Sequence, residues 1–248
     1  MRHARALAVV AMVVGSRVAA QVPADPTQRR FRVDASSLRP GQLTYQTTVV
    51  RDTIGSPAGN RMVTLSDTSY GGAPAWLIVE RRDGDGIIIA DSLVAARVDF
   101  RPMHWVSTNG PARLGAEFVG DSIYAVVTSP VGRRSIVALS TPGTLVNAAA
   151  LETALRLLPL QSGWQDSTTA LAITVGSNVG LFTRLAVTGE ETVTVPAGSF
   201  DCWIVTATSE AGQAIYWVSK RDPVVVRSSQ VVASLGGARV LNELTGRF

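Results

Sequence analysis

Histidine and cysteine, which serve as nucleophiles, bases and metal ligands, are nearly absent from this sequence. Cys202 is the one cysteine among 248 residues, and the two histidines are His3 and His104. A catalytic triad needs a histidine between an acid and a nucleophile, and no Gly-x-Ser-x-Gly turn accompanies either histidine. A zinc site takes three or four nitrogen or sulfur ligands, more than these residues supply. The sequence predicts no catalytic residue and no metal site, and packing roles for His104 and Cys202.

Acidic side chains offer one further chemistry, since two carboxyl groups that meet in space can hydrolyse a glycoside. No acid stands out for this role, and Glu190 and Glu191 fall at a strand edge. The segment Asp83-Gly84-Asp85-Gly86 lacks the later oxygen ligands of a calcium loop, so it predicts a hairpin turn. No phosphate-binding glycine motif occurs. The sequence predicts no cofactor and leaves a cryptic carboxylate hydrolase as a remote alternative.

The first twenty residues have the pattern of a secretory signal peptide. A positively charged start precedes an unbroken apolar run at residues 6–14, and Val18-Ala19-Ala20 supplies small residues for cleavage. Nine apolar residues are too few to cross a bilayer, which takes about 20. We therefore expect cleavage between Ala20 and Gln21, no transmembrane span in the mature chain, and a periplasmic or secreted location.

The charge of the mature chain is close to balanced. Loss of Arg2, Arg5 and Arg17 with the signal peptide leaves 20 basic against 19 acidic residues. No basic cluster with interleaved aromatic residues occurs, so the sequence predicts no nucleic-acid partner. A single cysteine also excludes a disulfide within the chain.

Alternation of apolar and polar residues dominates after a polar, flexible lead-in at residues 21–41. In the segment Leu93–Phe100 one face carries Val94, Ala96, Val98 and Phe100, the period of a half-buried strand. Turn signals such as Gly71-Gly72 and Gly236-Gly237 separate the strands, which indicates an antiparallel meander. We expect one β-rich domain over residues 42–248. The other predicted strands are 43–50, 61–67, 75–82, 113–119, 122–129, 133–139, 169–175, 181–188, 190–195, 200–208, 213–219, 223–232 and 238–245.

One segment, residues 142–158, has the period of an amphipathic helix instead. Pro142 suits its first turn and Pro159 its end. Glu152 and Arg156 are spaced as an i,i+4 ion pair on the polar side. Its apolar face carries Ala148, Leu151, Leu155 and Leu158.

The most distinctive stretch lies within residues 187–229. It contains Val193-Thr194-Val195-Pro196-Ala197-Gly198 and then Phe200-Asp201-Cys202-Trp203, and the helix before it ends in Leu158-Pro159-Leu160. Residues 145–232 resemble an uncharacterised family of exported bacterial β-proteins, known by a "domain of unknown function" label. That family looks related to the LolA and LolB type of periplasmic lipoprotein carrier. The resemblance implies a half-barrel with a helix across its mouth, where the carriers hold acyl chains.

The sequence as a whole predicts a mainly β fold: a strongly curved antiparallel sheet, a half-barrel or incomplete barrel, with one amphipathic helix across it. The expected function is that of a non-enzymatic carrier or binding protein for an apolar or amphipathic ligand, a lipid or lipoprotein. An envelope module that packs its own core and binds a protein partner is the alternative. The sequence is compatible with an open and with a plugged concave face. The predicted ligand contacts are Val98, Phe100, Trp105, Trp203 and Trp217.

Overall fold

The computed structural model describes residues 33–84, 87–140, 144–145, 148–174, 177–232 and 235–248. Within these residues, 15 strands form one sheet, and neighbours are antiparallel except β9 and β10. The strands are β1 (Gly41–Arg51), β2 (Ile54–Tyr70), β3 (Ala73–Gly84), β4 (Ile87–Ala96), β5 (Pro102–Asn109), β6 (Ala112–Val119), β7 (Ser122–Thr128), β8 (Arg134–Ser140), β9 (Thr144–Leu145), β10 (Gln165–Thr174), β11 (Ser177–Val195), β12 (Gly198–Ser209), β13 (Gly212–Ser219), β14 (Val225–Val232) and β15 (Ala238–Arg247).

The strand order brings the first and last strands together in the middle of the sheet. β1 pairs with β15, while β8 and β9 lie at the two edges. The sheet is curved and does not close, and one short helix, α1 (Ala148–Leu155), lies across it. The predicted fold, an incomplete barrel of antiparallel strands with a single helix, is confirmed.

Tight turns rich in glycine set the registers of the long hairpins. Gly71 and Gly72 join β2 to β3 with φ values of +58° and +81°, which residues with a Cβ rarely adopt. Gly59 has φ of +108°, and a Cβ there would stand 1.8 Å from the carbonyl oxygen of Asp83. The chain therefore needs glycine at position 59 for β2 to pair closely with β3.

Several predicted boundaries differ from the structure. The strands expected at 181–188 and 190–195 form the single strand β11, because a register shift between Val187 and Gly189 absorbs the break in alternation. The strand expected to run to Phe100 ends at Ala96, where the chain turns. The helix expected over 142–158 is described only over Ala148–Leu155, and Thr144–Leu145 pair with β10 instead.

Part of the predicted lead-in belongs to the folded domain. Val33, Ala35 and Leu38 are buried in the core, and Asp34 caps a 3-10 turn by accepting a hydrogen bond from the main-chain N–H of Ser36. Burial of these apolar side chains explains why this segment packs where its polar composition predicted flexibility. The predicted signal peptide and its cleavage site lie outside the described residues.

Two apolar clusters make up the core, and α1 contributes to both. Ala150 and Ala154 join the larger cluster, which extends across the inward-facing residues of β2 to β7. Leu151 and Leu155 join the smaller cluster, on β11 to β14. Full burial of a leucine such as Leu155 stabilises the fold by about 1.5–3 kcal/mol. The helix is thus a packed part of the interior.

A buried cluster of charges fixes α1 to the sheet. The guanidinium of Arg61 on β2 donates to both oxygens of Glu80 on β3, at 2.9 Å each, and to Glu152 on α1 at 2.6 Å. Arg61 and Glu80 are each only 1% exposed, and Arg82 also donates to Glu80. Arg61 lies over the ring of Tyr45, 5.1 Å from its centroid. Two arginines therefore neutralise two glutamates, as burial of charge requires.

Burial and pairing act in opposite directions on Glu80. Desolvation alone would raise the pKa of this carboxyl group, but the charges of Arg61 and Arg82 and their hydrogen bonds lower the pKa to about 2. In the unfolded chain the pKa returns towards its usual 4.5. The pairing therefore stabilises the fold fully above that value, and its contribution is lost as the pH falls from about 4.5 towards 2.

We predict that Arg61→Leu lowers the free energy of unfolding by about 3–5 kcal/mol, because it removes the arginine that pairs with Glu152 and leaves the buried Glu80 with Arg82 alone. Urea denaturation followed by circular dichroism measures the change. Arg81→Leu is the matched control, since Arg81 is exposed on the neighbouring strand, and its effect should stay within about 0.5 kcal/mol. Equal losses for the two variants would contradict the assignment of Arg61.

We further predict that acid destabilises the wild type more steeply than it destabilises Glu80→Gln between pH 4.5 and pH 2. The amide at position 80 does not titrate, so its variant lacks this contribution. Urea denaturation at several pH values between 4.5 and 2 measures how steeply the free energy of unfolding depends on pH. Glu210→Gln, at an exposed turn, should keep the wild-type slope; a wild-type slope in Glu80→Gln would disprove the role of Glu80.

Candidate functional site

A pocket of about 170 Å³ opens where α1 meets the start of β1 and the middle of β2. Its apolar floor is formed by Leu43, Val63 and Leu65, and the buried hydroxyl-bearing side chain of Thr153 lines it from the helix. An engineered cavity of about 150 Å³ is large enough to bind benzene. This pocket therefore has room for a small polar group and a few carbons.

The alternation of β2 explains how the floor and the charge cluster come to adjoin. Arg61, Val63 and Leu65 are two residues apart, so their side chains point to the same face of the sheet. Arg61 engages α1, while Val63 and Leu65 continue along the same row beneath the pocket. Contact between β2 and the helix thus closes one end of the pocket.

Three arginines, Arg39, Arg156 and Arg247, line the same pocket. Arg247 pairs with Asp222 at 3.0 Å. The predicted pair of Glu152 with Arg156 does not form: Glu152 binds Arg61, and the Nε of Arg156 donates to the main-chain oxygen of Pro223 at 2.9 Å. The prediction failed because that side of the helix faces the sheet, which offers Glu152 a buried guanidinium.

Of the predicted ligand contacts in the N-terminal half, none lines this pocket. Val98 is 73% exposed in the turn after β4. Phe100 is fully buried with φ of +56°, and Trp105 is buried with its Nε1 donating to Asp91 at 3.3 Å. Phe100 and Trp105 lie together in the larger cluster, and Val98 is separate from them.

The two predicted contacts in the C-terminal half are half-buried and engaged with charged neighbours. The ammonium of Lys220 lies 4.0 Å above the ring of Trp203, and the Nε1 of Trp217 donates to Glu191 at 2.8 Å. Trp203 packs against the smaller cluster and Trp217 against the larger. The structure therefore does not bring the five residues into one lining, and their role as ligand contacts stays a prediction.

His104 and Cys202 are held by structural contacts. The Nδ1 of His104 hydrogen-bonds Glu117 at 2.7 Å, its ring stacks on Tyr70 at 5.5 Å, and the hydroxyl of Tyr70 donates to Glu117 at 2.6 Å. Cys202 is buried on β12. Burial, with the charges of Asp201 and Glu191, raises the pKa of the Cys202 thiol to about 11, so the unreactive thiol form prevails at neutral pH.

Metal binding and hydrolysis by paired carboxyl groups are two further chemistries that clustered acidic side chains support. No group of three or more histidine, cysteine, aspartate or glutamate side chains among them could hold a metal ion. Glu80 and Glu152 do approach each other through Arg61. A general acid needs a raised pKa, however, and the pKa of Glu80 is lowered while its side chain is only 1% exposed.

Sequence reasoning missed the pocket because its lining is assembled from distant segments: the turn before β1, β2, α1 and the end of β15. One signal was available. The strand predicted at 61–67 places a charged residue, Arg61, in the same alternating row as Val63 and Leu65. A charge on an inward face indicates a buried partner, although the sequence does not say which one.

Comparison with known proteins identifies the family. The model for the DUF3108 family, described as a protein of unknown function, matches residues 30–238, and the chain belongs to that family. This confirms the prediction of a family of unknown function. The comparison with curated proteins gives no match. No helix in the described part of the chain is both long and apolar enough to cross a membrane.

Two solved structures are similar to this chain. A beta-barrel-like protein of the domain of unknown function DUF1849 from Brucella abortus has a TM-score of 0.54 at 12% identity, covering 85% of this chain and 97% of that one. The hypothetical lipoprotein YmcC from Escherichia coli has a TM-score of 0.34 at 13% identity, with 86% of each chain covered. The first similarity supports the barrel-like fold.

Proposed function

We propose that this protein is an exported, non-enzymatic binding protein for an amphipathic ligand, a lipid or the lipid-bearing part of a lipoprotein. The observation that carries the proposal is the pocket beside α1, where an apolar floor adjoins a rim of arginines. Small-molecule sites are typically concave, mostly apolar and furnished with a few polar groups. The export is inferred from residues 1–20, whose pattern is that of a signal peptide.

The size of the pocket limits what the closed form accepts. About 170 Å³ holds the polar end and first carbons of an amphiphile. A longer chain needs the space that Leu151 and Leu155 fill in the smaller cluster. The proposed carrier therefore binds long chains only if α1 moves. The family that residues 145–232 resemble looks related to the LolA and LolB type of carrier, which holds acyl chains.

A protein-docking module is the second candidate, and one feature favours it. β8 is an edge strand of the sheet as described, and its Ile136 side chain is 84% exposed. An edge with free main-chain groups and exposed apolar side chains can accept a strand of a partner. This candidate requires no ligand in the pocket.

We predict that residues 21–248, recovered from a bacterial periplasm, form a one-to-one complex with octyl phosphate or 1-octanol in native mass spectrometry. Leu43→Trp should weaken that complex at least roughly tenfold, because the larger ring fills a pocket of about 170 Å³. The same spectrum reports the mass of the mature chain and so tests cleavage after Ala20.

Ile136→Trp serves as the matched control, since it adds the same ring at an exposed site away from the pocket. Its binding should equal that of the wild type. A protein that keeps its unliganded mass with both amphiphiles would overturn the proposed function and favour the docking module. Undiminished binding by Leu43→Trp would place the ligand elsewhere.

A further inference from the structure

The charged side chains that line the pocket are all positive: Arg39, Arg156 and Arg247. One of them, Arg247, pairs with the carboxylate of Asp222 at 3.0 Å. Arg39 uses one guanidinium nitrogen to donate to the main-chain oxygens of Ser36 and Leu38, at 3.0 and 2.8 Å. A guanidinium has five N–H donors, so this arginine keeps donors for a ligand.

Arg156 is more buried than Arg39, the other arginine of the pocket that donates to main-chain oxygens. It lies half-buried at the end of α1, and its Nε donates to the uncharged main-chain oxygen of Pro223. Burial lowers the pKa of the Arg156 guanidinium from its ordinary value. Electrostatic interactions with Tyr45 and Asp222 raise this pKa, and the positive charge of Arg247 lowers it. An arginine nevertheless stays protonated at neutral pH. Its charge is therefore partly withdrawn from water beside another cation, an arrangement that a bound anion would relieve.

The geometry of the helix aims this charge at the pocket. Successive residues of an α-helix are about 100° apart, so Thr153 is rotated about 100° from Glu152, and Arg156 follows directly after Leu155, the last residue of α1. Arg61 holds Glu152 against the sheet. Arg156 and Thr153 are consequently presented on the neighbouring side, where both line the pocket.

We propose that the pocket binds the anionic group of an amphiphile, a phosphate monoester or a carboxylate, with Arg156 as its principal contact and Arg39 and Arg247 beside it. This inference rests on the proposed function and specifies its ligand class. The fork of a guanidinium matches the paired oxygens of phosphate and carboxylate. Leu43, Val63 and Leu65 contact the first carbons of the ligand's alkyl chain. One short pocket therefore recognises both the anionic head group and the start of the apolar tail.

The test compares three probes by isothermal titration calorimetry with the full mature chain: octyl phosphate, 1-octanol and inorganic phosphate. Octyl phosphate should bind at least roughly tenfold more tightly than either of the others, since a charged hydrogen bond and the apolar contact each contribute on that scale. Equal binding of 1-octanol would overturn the anion assignment and leave the proposed function standing. Equal binding of inorganic phosphate would overturn the assignment of an amphiphile as the ligand and indicate a site for free anions.

Absence of binding by all three probes would overturn the inference and the proposed function together.

Arg156→Gln should weaken the binding of octyl phosphate roughly 10- to 100-fold while changing the binding of 1-octanol little. Arg239→Gln is the matched control, because Arg239 is exposed on β15 outside the pocket lining. Arg39→Gln provides a second variant at an exposed position in case Arg156→Gln does not fold. Wild-type affinity in both pocket variants would disprove the site.

Discussion

The interior of this protein depends on one buried guanidinium. Arg61 joins two adjacent strands and the helix, because its fork binds Glu80 on β3 while its remaining nitrogen binds Glu152 on α1. A buried charge tolerates few arrangements, since each unpaired partner costs several kcal/mol. The cluster therefore fixes the rotation and position of α1 more narrowly than the apolar contacts of Ala154 or Leu155 would by themselves.

That constraint accounts for both the packed interior and the pocket. With Glu152 turned to the sheet, Leu151 and Leu155 of α1 pack against the inward-facing residues of β11 to β14. The same rotation leaves Thr153 and Arg156 beside the inward row of β2, where the filling is incomplete. The pocket and the position of the helix are consequently properties of one arrangement of charges.

The sequence predicts local features well, because they depend on neighbouring residues. Gly71 and Gly72 fix a hairpin through their own backbone preferences, and alternation reveals most strands. Partners that are distant in the chain are not encoded locally. Glu152 meets Arg61 across 91 positions, whereas the i,i+4 rule offered Arg156 as an adequate partner. The pocket was missed for the same reason, since it combines β1 and β2 with the distant end of β15 and with residues of the helix segment.

The most direct test of this account is a nuclear magnetic resonance titration of the mature chain with octyl phosphate, observing arginine Nε–H and leucine and valine methyl signals. The account predicts that the signals of Arg156, Leu43 and Val63 shift at the lowest ligand concentrations and in proportion to the fraction of protein bound. The signal of Arg239 should not change. Shifts confined to residues near Trp203 and Trp217, or spread along β8, would contradict it.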